Sequence, residues 1–134
     1  MIPMELARII IAENSEEQYI VLKEADGSRA FPIVIDIFVA AAIDRKVKEV
    51  KTQRPLTHDL LESVISGLGA RLERVVVNDL RKGTFYARLH IAQNGKTVEV
   101  DSRPSDAIAL AVQTGAPIFV EEKVLEEVSR QEPE

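Results

Sequence analysis

Six consecutive residues, Asp101-Ser102-Arg103-Pro104-Ser105-Asp106, set two carboxylates, a guanidinium and two hydroxyls where a strand gives way to a helix. Such a junction presents side chains and free helix N–H groups at the end of a sheet, where α/β folds take ligands. Ordinary turn chemistry needs one cap and a proline, so most of this polar function is surplus. Asp101 and Asp106 can share a hard divalent cation such as Mg²⁺ or Ca²⁺, which takes oxygen ligands, or position a water for hydrolysis. Asp106 also has a plain structural role, because a carboxylate in a first helical turn gains about 0.3–1 kcal/mol from the helix dipole. Arg103, a planar fork beside acids, either locks the loop or meets an anionic ligand.

His58-Asp59 is the second candidate. Imidazole is the usual general base near neutral pH, and a carboxylate can orient it. Neighbours at a helix start point in different directions, so these two need not bond each other. The structural alternative is that Thr57 or Asp59 caps the helix and His58 is merely exposed. Arg54-Pro55 precedes this helix as Arg103-Pro104 precedes the later one, each ahead of a hydroxyl and an aspartate. Two helix N-termini of this kind can face one pocket. A third candidate is Thr84-Phe85-Tyr86-Ala87. With Phe85 in the core, Tyr86 shares the opposite sheet face with Thr84 and Arg88, a face able to stack on a base or to pack beneath a helix or subunit. His90 on that face reads as a surface histidine.

The elements that position these groups follow from periodicity. Strands are predicted over 5–11, 19–23 and 29–35, with Asp26-Gly27 as a hairpin turn and Pro32 marking an edge or bulge. Asp36 suits the N-cap of a helix over 37–46. A second helix is predicted over 59–68, its apolar positions Leu60, Leu61, Val64, Ile65 and Leu68 at helical spacing and Gly67 and Gly69 as its stop. Strands over 71–79, 84–92 and 96–101 form a meander, the last two joined by Asn94-Gly95. Pro104 opens a helix to Thr114, closed by Gly115 and apolar nearly all round, hence buried. A strand over 117–120 and a helix over 122–130 complete an α+β domain of residues 1–128, with 129–134 as a disordered tail.

The 134 residues are 46% hydrophobic, enough for one core. No cysteine is present, which removes disulfides and thiolate metal sites and fits a reducing compartment. No apolar run reaches the ~20 residues of a membrane span, and Met1-Ile2-Pro3-Met4-Glu5 lacks signal-peptide order; a cytoplasmic protein is expected. A net charge of -5 argues against tight, non-specific nucleic-acid binding, although Arg45-Lys46-Val47-Lys48 and Arg81-Lys82 leave room for a small basic cleft. There is no glycine-rich phosphate loop, no G-x-S-x-G elbow and no zinc spacing.

Taken together, Arg54-Pro55-Leu56-Thr57-His58-Asp59-Leu60-Leu61, Thr84-Phe85-Tyr86-Ala87 and Asp101-Ser102-Arg103-Pro104-Ser105-Asp106-Ala107-Ile108-Ala109-Leu110 resemble the bifunctional nuclease domain family, over about Glu5 to Val124. The resemblance implies a compact α+β domain, a mostly antiparallel sheet with three to four helices. It further implies hydrolysis of RNA or DNA, bound weakly given the net charge, and a homodimer or higher homo-oligomer. The positions that would carry the chemistry are His58, Asp59, Asp101 and Asp106, with Arg54, Arg103 and Tyr86 holding substrate and Asp101 and Asp106 a divalent cation. Where relatives often carry a glycine and, three residues on, a glutamate, this chain has Asp36 and Val39. The alternative is a non-catalytic binding or assembly domain in which the Asp/Arg motif is structural.

Overall fold

The computed structural model describes residues 1–12 and 17–131. Along the chain run β1 (Ile2–Ile10), β2 (Gln18–Glu24), β3 (Ala30–Ile35), α1 (Ile37–Val47), α2 (Thr57–Gly67), β4 (Arg71–Arg81), β5 (Thr84–Gln93), β6 (Lys96–Ser102), α3 (Pro104–Thr114), β7 (Ile118–Val120) and α4 (Glu122–Gln131). The strands form one seven-stranded sheet in the order β3-β2-β1-β7-β4-β5-β6. Every neighbouring pair is antiparallel except β4 with β7, which the α3 crossover makes parallel. The expected α+β fold with a mostly antiparallel sheet is the fold observed.

Local chemistry accounts for the joints. Asn94 and Gly95 both have positive φ, 51° and 76°, the geometry of a two-residue hairpin turn that suits right-twisted strands. Lys82 and Gly83, at 50° and 80°, make an equivalent turn between β4 and β5. Asp26-Gly27 lies in a hairpin as expected, closed by the Glu24 N–H donating to the Arg29 carbonyl at 2.9 Å. Pro32 sits on an edge strand, where its missing donor is harmless. Gly115, at φ 80°, ends α3 in the left-handed conformation.

The sheet curls strongly around α3. Phe31 of β3 and Phe85 of β5 stack with ring centroids 5.3 Å apart. Four strands separate β3 from β5, so a flat sheet would hold them about 24 Å apart. Inside the curl lies α3, with Ile108 and Leu110 fully buried, and Ala107, Ala109 and Ala111 small enough to let the helix approach the sheet closely. It packs against α1, α2, β3, β4 and β5. The alanine-rich helix predicted over 104–114 has those bounds, and seven of its residues, Pro104, Ser105 and Ala107 to Ala111, are buried.

Other boundaries and burials need correction. The second helix starts at Thr57, two residues before the expected Asp59, and it ends at Gly67 with the left-handed Gly69 beyond the cap. Its apolar stripe is not core: no α2 residue is buried, and Leu60, Leu61 and Val64 are exposed. His90 is not a surface histidine. It is buried because β5 is flanked by β4 and β6, with Arg74 and Glu99 directly opposite it in the ladders. α4, expected over 122–130, runs to Gln131, and Ser129 Oγ donates to the Leu125 carbonyl at 3.1 Å. The rest of the expected tail, residues 132–134, lies outside the described residues.

Candidate active site

The curl brings the ends of the two edge strands together, and the helices that follow them start there. β3 runs into Asp36, the N-cap of α1, whose side chain accepts from the Val39 N–H at 2.9 Å. β6 runs into Arg103, the N-cap of α3, with Pro104 in the first helical position. α2 adds a third helix start, placing His58 in its first turn. Three positive helix ends therefore share one region, a setting that favours negative groups.

A continuous polar chain links them. The carboxylate of Asp106, third residue of α3, meets His58 Nε2 through Oδ1 at 3.0 Å and accepts from Arg103 Nε through Oδ2 at 2.8 Å. Arg103 Nη1 donates to Asp36 Oδ2 at 3.3 Å. Burial pushes the Asp106 carboxyl up, but hydrogen bonds and charge from Arg103 and His58 outweigh it and hold the group below the usual carboxylate range. Asp106 is thus the acceptor, and His58 donates from Nε2. The imidazole nitrogen left with a lone pair is Nδ1. Gln113, on α3, donates to the His58 carbonyl and to Glu62 Oε1, each at 3.3 Å, and so fastens α2 to α3.

His58 lies in the wall of an open cleft of about 1060 Å³ between α1 and α2. Its side chain keeps 14% exposure, enough to be reached while remaining held. Arg54 lines the same cleft. The second Arg-Pro helix start does not line this cleft; Arg103 is linked to it through Asp106 and His58.

The remaining expected residues lie elsewhere. Asp59 accepts from the Leu56 N–H at 2.9 Å and caps α2; it does not orient His58. Asp101 is paired with Arg88 in the sheet, while the next residue, Ser102, is paired with the fully buried Ala87. Alternation therefore puts Asp101 on the outer face, with Tyr86 and Arg88. Tyr86 already carries the Arg81 guanidinium over its ring at 5.0 Å. Asp36, expected as a cap and as the residue standing where relatives often carry a glycine, is also a partner of Arg103. Gln113 carried no signal in the sequence. The divalent cation fits this arrangement poorly: both Asp106 oxygens are engaged, and Asp101 faces away. Among the described residues no group of three or more His, Asp or Glu side chains forms a cage.

Fold and site together define a small α+β domain with a carboxylate-held imidazole in the wall of an open, cation-lined cleft. A family model, the bifunctional nuclease domain, matches residues 20–133, and the chain belongs to that family. An uncharacterised protein of Mycobacterium tuberculosis is 43% identical over 117 residues, covering 87% of this chain and 70% of the relative. Bifunctional nuclease 1 of Oryza sativa subsp. japonica is 25% identical over 85% of the chain and 36% of its own length. Bifunctional nuclease 2 of Arabidopsis thaliana is 29% identical over 75% of the chain and 32% of its own length. The chain thus spans about a third of those plant proteins. Among the described residues no helix is long and apolar enough to cross a membrane.

Proposed function

We propose that this domain hydrolyses phosphodiester bonds of RNA or DNA, with His58 as general base and Asp106 as the group that positions it. The observation that carries the reading is the 3.0 Å contact between His58 Nε2 and Asp106, made across two helix starts in a cleft wall. Asp106 fixes the tautomer and stabilises the imidazolium that forms when Nδ1 takes a proton. The proton comes from an attacking water, whose oxygen bonds to phosphorus while the P–O bond to the leaving oxygen breaks. The imidazolium or a solvent water then gives a proton to the leaving oxygen, and His58 returns to its neutral form. Arg103 is 63% exposed despite its two carboxylate partners, which leaves donors for a phosphate oxygen, and Arg54 adds a second cation.

Family membership and the names of the plant relatives support this class of reaction. A homo-oligomer belongs to the same proposal: the edge strand β6 exposes Val98 and Val100, whereas the other edge is blunted by Pro32. The test is cleavage of end-labelled single-stranded RNA and DNA. His58→Ala and Asp106→Asn should each lower the rate about 10²-fold or more, the range of general acid–base catalysis. Equal rates in both variants and the parent would reject the proposal.

One observation favours the assembly-domain alternative. Asp36 and Asp106 both engage Arg103, as in a structural lock joining two helix starts. On that reading Arg103→Ala lowers the melting temperature while no nucleic acid is cleaved.

A further inference from the structure

Among the described residues the most exposed large apolar side chain is Phe38, at 82%. It stands in the first turn of α1 and lines the same cleft as His58. An isolated exposed leucine needs no explanation, but a bare aromatic ring in a cleft wall does. Its surroundings narrow the choice. Val50, Leu56 and Leu60 line the cleft as well, and each is more than 40% exposed.

The charges of the cleft are asymmetric in their engagement. Its carboxylates are taken by the protein: Asp36 by the Val39 N–H and Arg103, Asp59 by the Leu56 N–H, and Glu62 by Gln113. Its cations Arg45, Lys46, Lys51 and Arg54 form no ion pair among the described residues, although Lys48 nearby pairs with Asp44. A protein of net charge -5 therefore presents four positive charges without ion pairs among the described residues in one apolar-walled cleft. The ligand that meets both features is polyanionic with flat apolar faces.

We propose that this cleft binds single-stranded nucleic acid, with a base stacked on Phe38 and the backbone phosphates on Arg45, Lys46, Lys51 and Arg54. Base–aromatic stacking combined with a cationic track is the general mode of single-strand binding. A duplex is disfavoured because its base faces are already stacked on one another. The proposal rests on the reading of the site as a nuclease, and deepens it by naming the strand state of the substrate and the residue that selects it.

The experiment measures fluorescence anisotropy of labelled 12-nucleotide single strands, RNA and DNA separately, and of the matching DNA duplex, at low salt. Protein carrying His58→Ala is used so that cleavage does not intrude. Phe38→Ala in that background should weaken single-strand binding about 5- to 100-fold. Phe38→Trp should retain binding, and Phe38→Leu, apolar but unable to stack, should lose it. Because Phe38 is exposed, all three variants should melt with the parent. Lys51→Ala with Arg54→Ala should weaken binding and flatten its salt dependence. Phe38→Ala or Phe38→Leu binding like the parent, or duplex binding as tightly as single strands, would overturn the proposal. So would a change of mass by light scattering in Phe38→Ala with affinity unaltered, which would make the ring a contact between copies. Strand binding that depends on Phe38 without any cleavage by the parent would sustain this proposal and reject the hydrolytic one. Cleavage by the parent that is indifferent to Phe38 would do the reverse.

Discussion

Asp106 is a carboxylate between two cationic or cationisable partners, and its behaviour with pH follows from that position. Its folded-state pKa lies below its unfolded value, so its contribution is complete above the ordinary carboxylate pKa near 3.9 and is lost as pH falls through the folded value. Asp106→Asn should cost about 1–3 kcal/mol at pH 7, as expected for hydrogen bonds to a charged group. In urea unfolding, the gap between parent and variant should close as the pH is taken below about 4; a gap independent of pH would show that Asp106 is not held as an anion. Residue types and spacing in the sequence marked His58, Arg54, Arg103 and Asp106. They did not mark which carboxylate serves His58, because that partner lies 48 residues away and only the fold brings it near. Asp59, its neighbour in sequence, is spent on a cap.

At the scale of the element, α2 is the unusual piece. It buries no residue, and its attachment to α3 includes the His58–Asp106 bond and the two contacts of Gln113. Helices held by so few buried contacts open locally at low free energy. His58→Ala should speed amide hydrogen exchange in α2 about tenfold and leave α3 unchanged. Uniform exchange across both helices would mean that α2 is anchored in some other way. Asp36 gives a second test. Asp36→Ala removes an N-cap and should cost about 1 kcal/mol, while Asp36→Ser keeps the cap, loses only the exposed Arg103 contact and should be nearly neutral in thermal unfolding. Elements were legible wherever a strong local signal existed: Pro104 and Gly115 bound α3, and Asn94-Gly95 turns the meander. The start of α2 was not, because Leu56 occupies the N-cap and Asp59 supplies the bond from inside the helix.

For the molecule as a whole, curl and charge distribution matter most. Neither is written locally in the sequence. Edge strands β3 and β6 lie at opposite ends of the sheet order, yet Asp36 and Arg103, which follow them, are bonded. That closure puts Asp106 beside His58, and it leaves Asp101 and Tyr86 outside because strand alternation turns them away. The net charge of -5 argues against nucleic-acid binding, and it averages over a cleft with four positive charges without ion pairs among the described residues. Binding should accordingly be weak at physiological salt and fall steeply with it. With about four phosphates neutralised, log K against log salt should slope near -3 for a single strand; a slope near zero would remove the cationic cleft from the account. The most direct measurement of the central claim is cleavage of a labelled single strand by His58→Gly protein with and without added imidazole. The account predicts that activity is lost and is restored in part by imidazole, while Asp106→Asn is not rescued. Cleavage by His58→Gly at the parent rate without imidazole would contradict it.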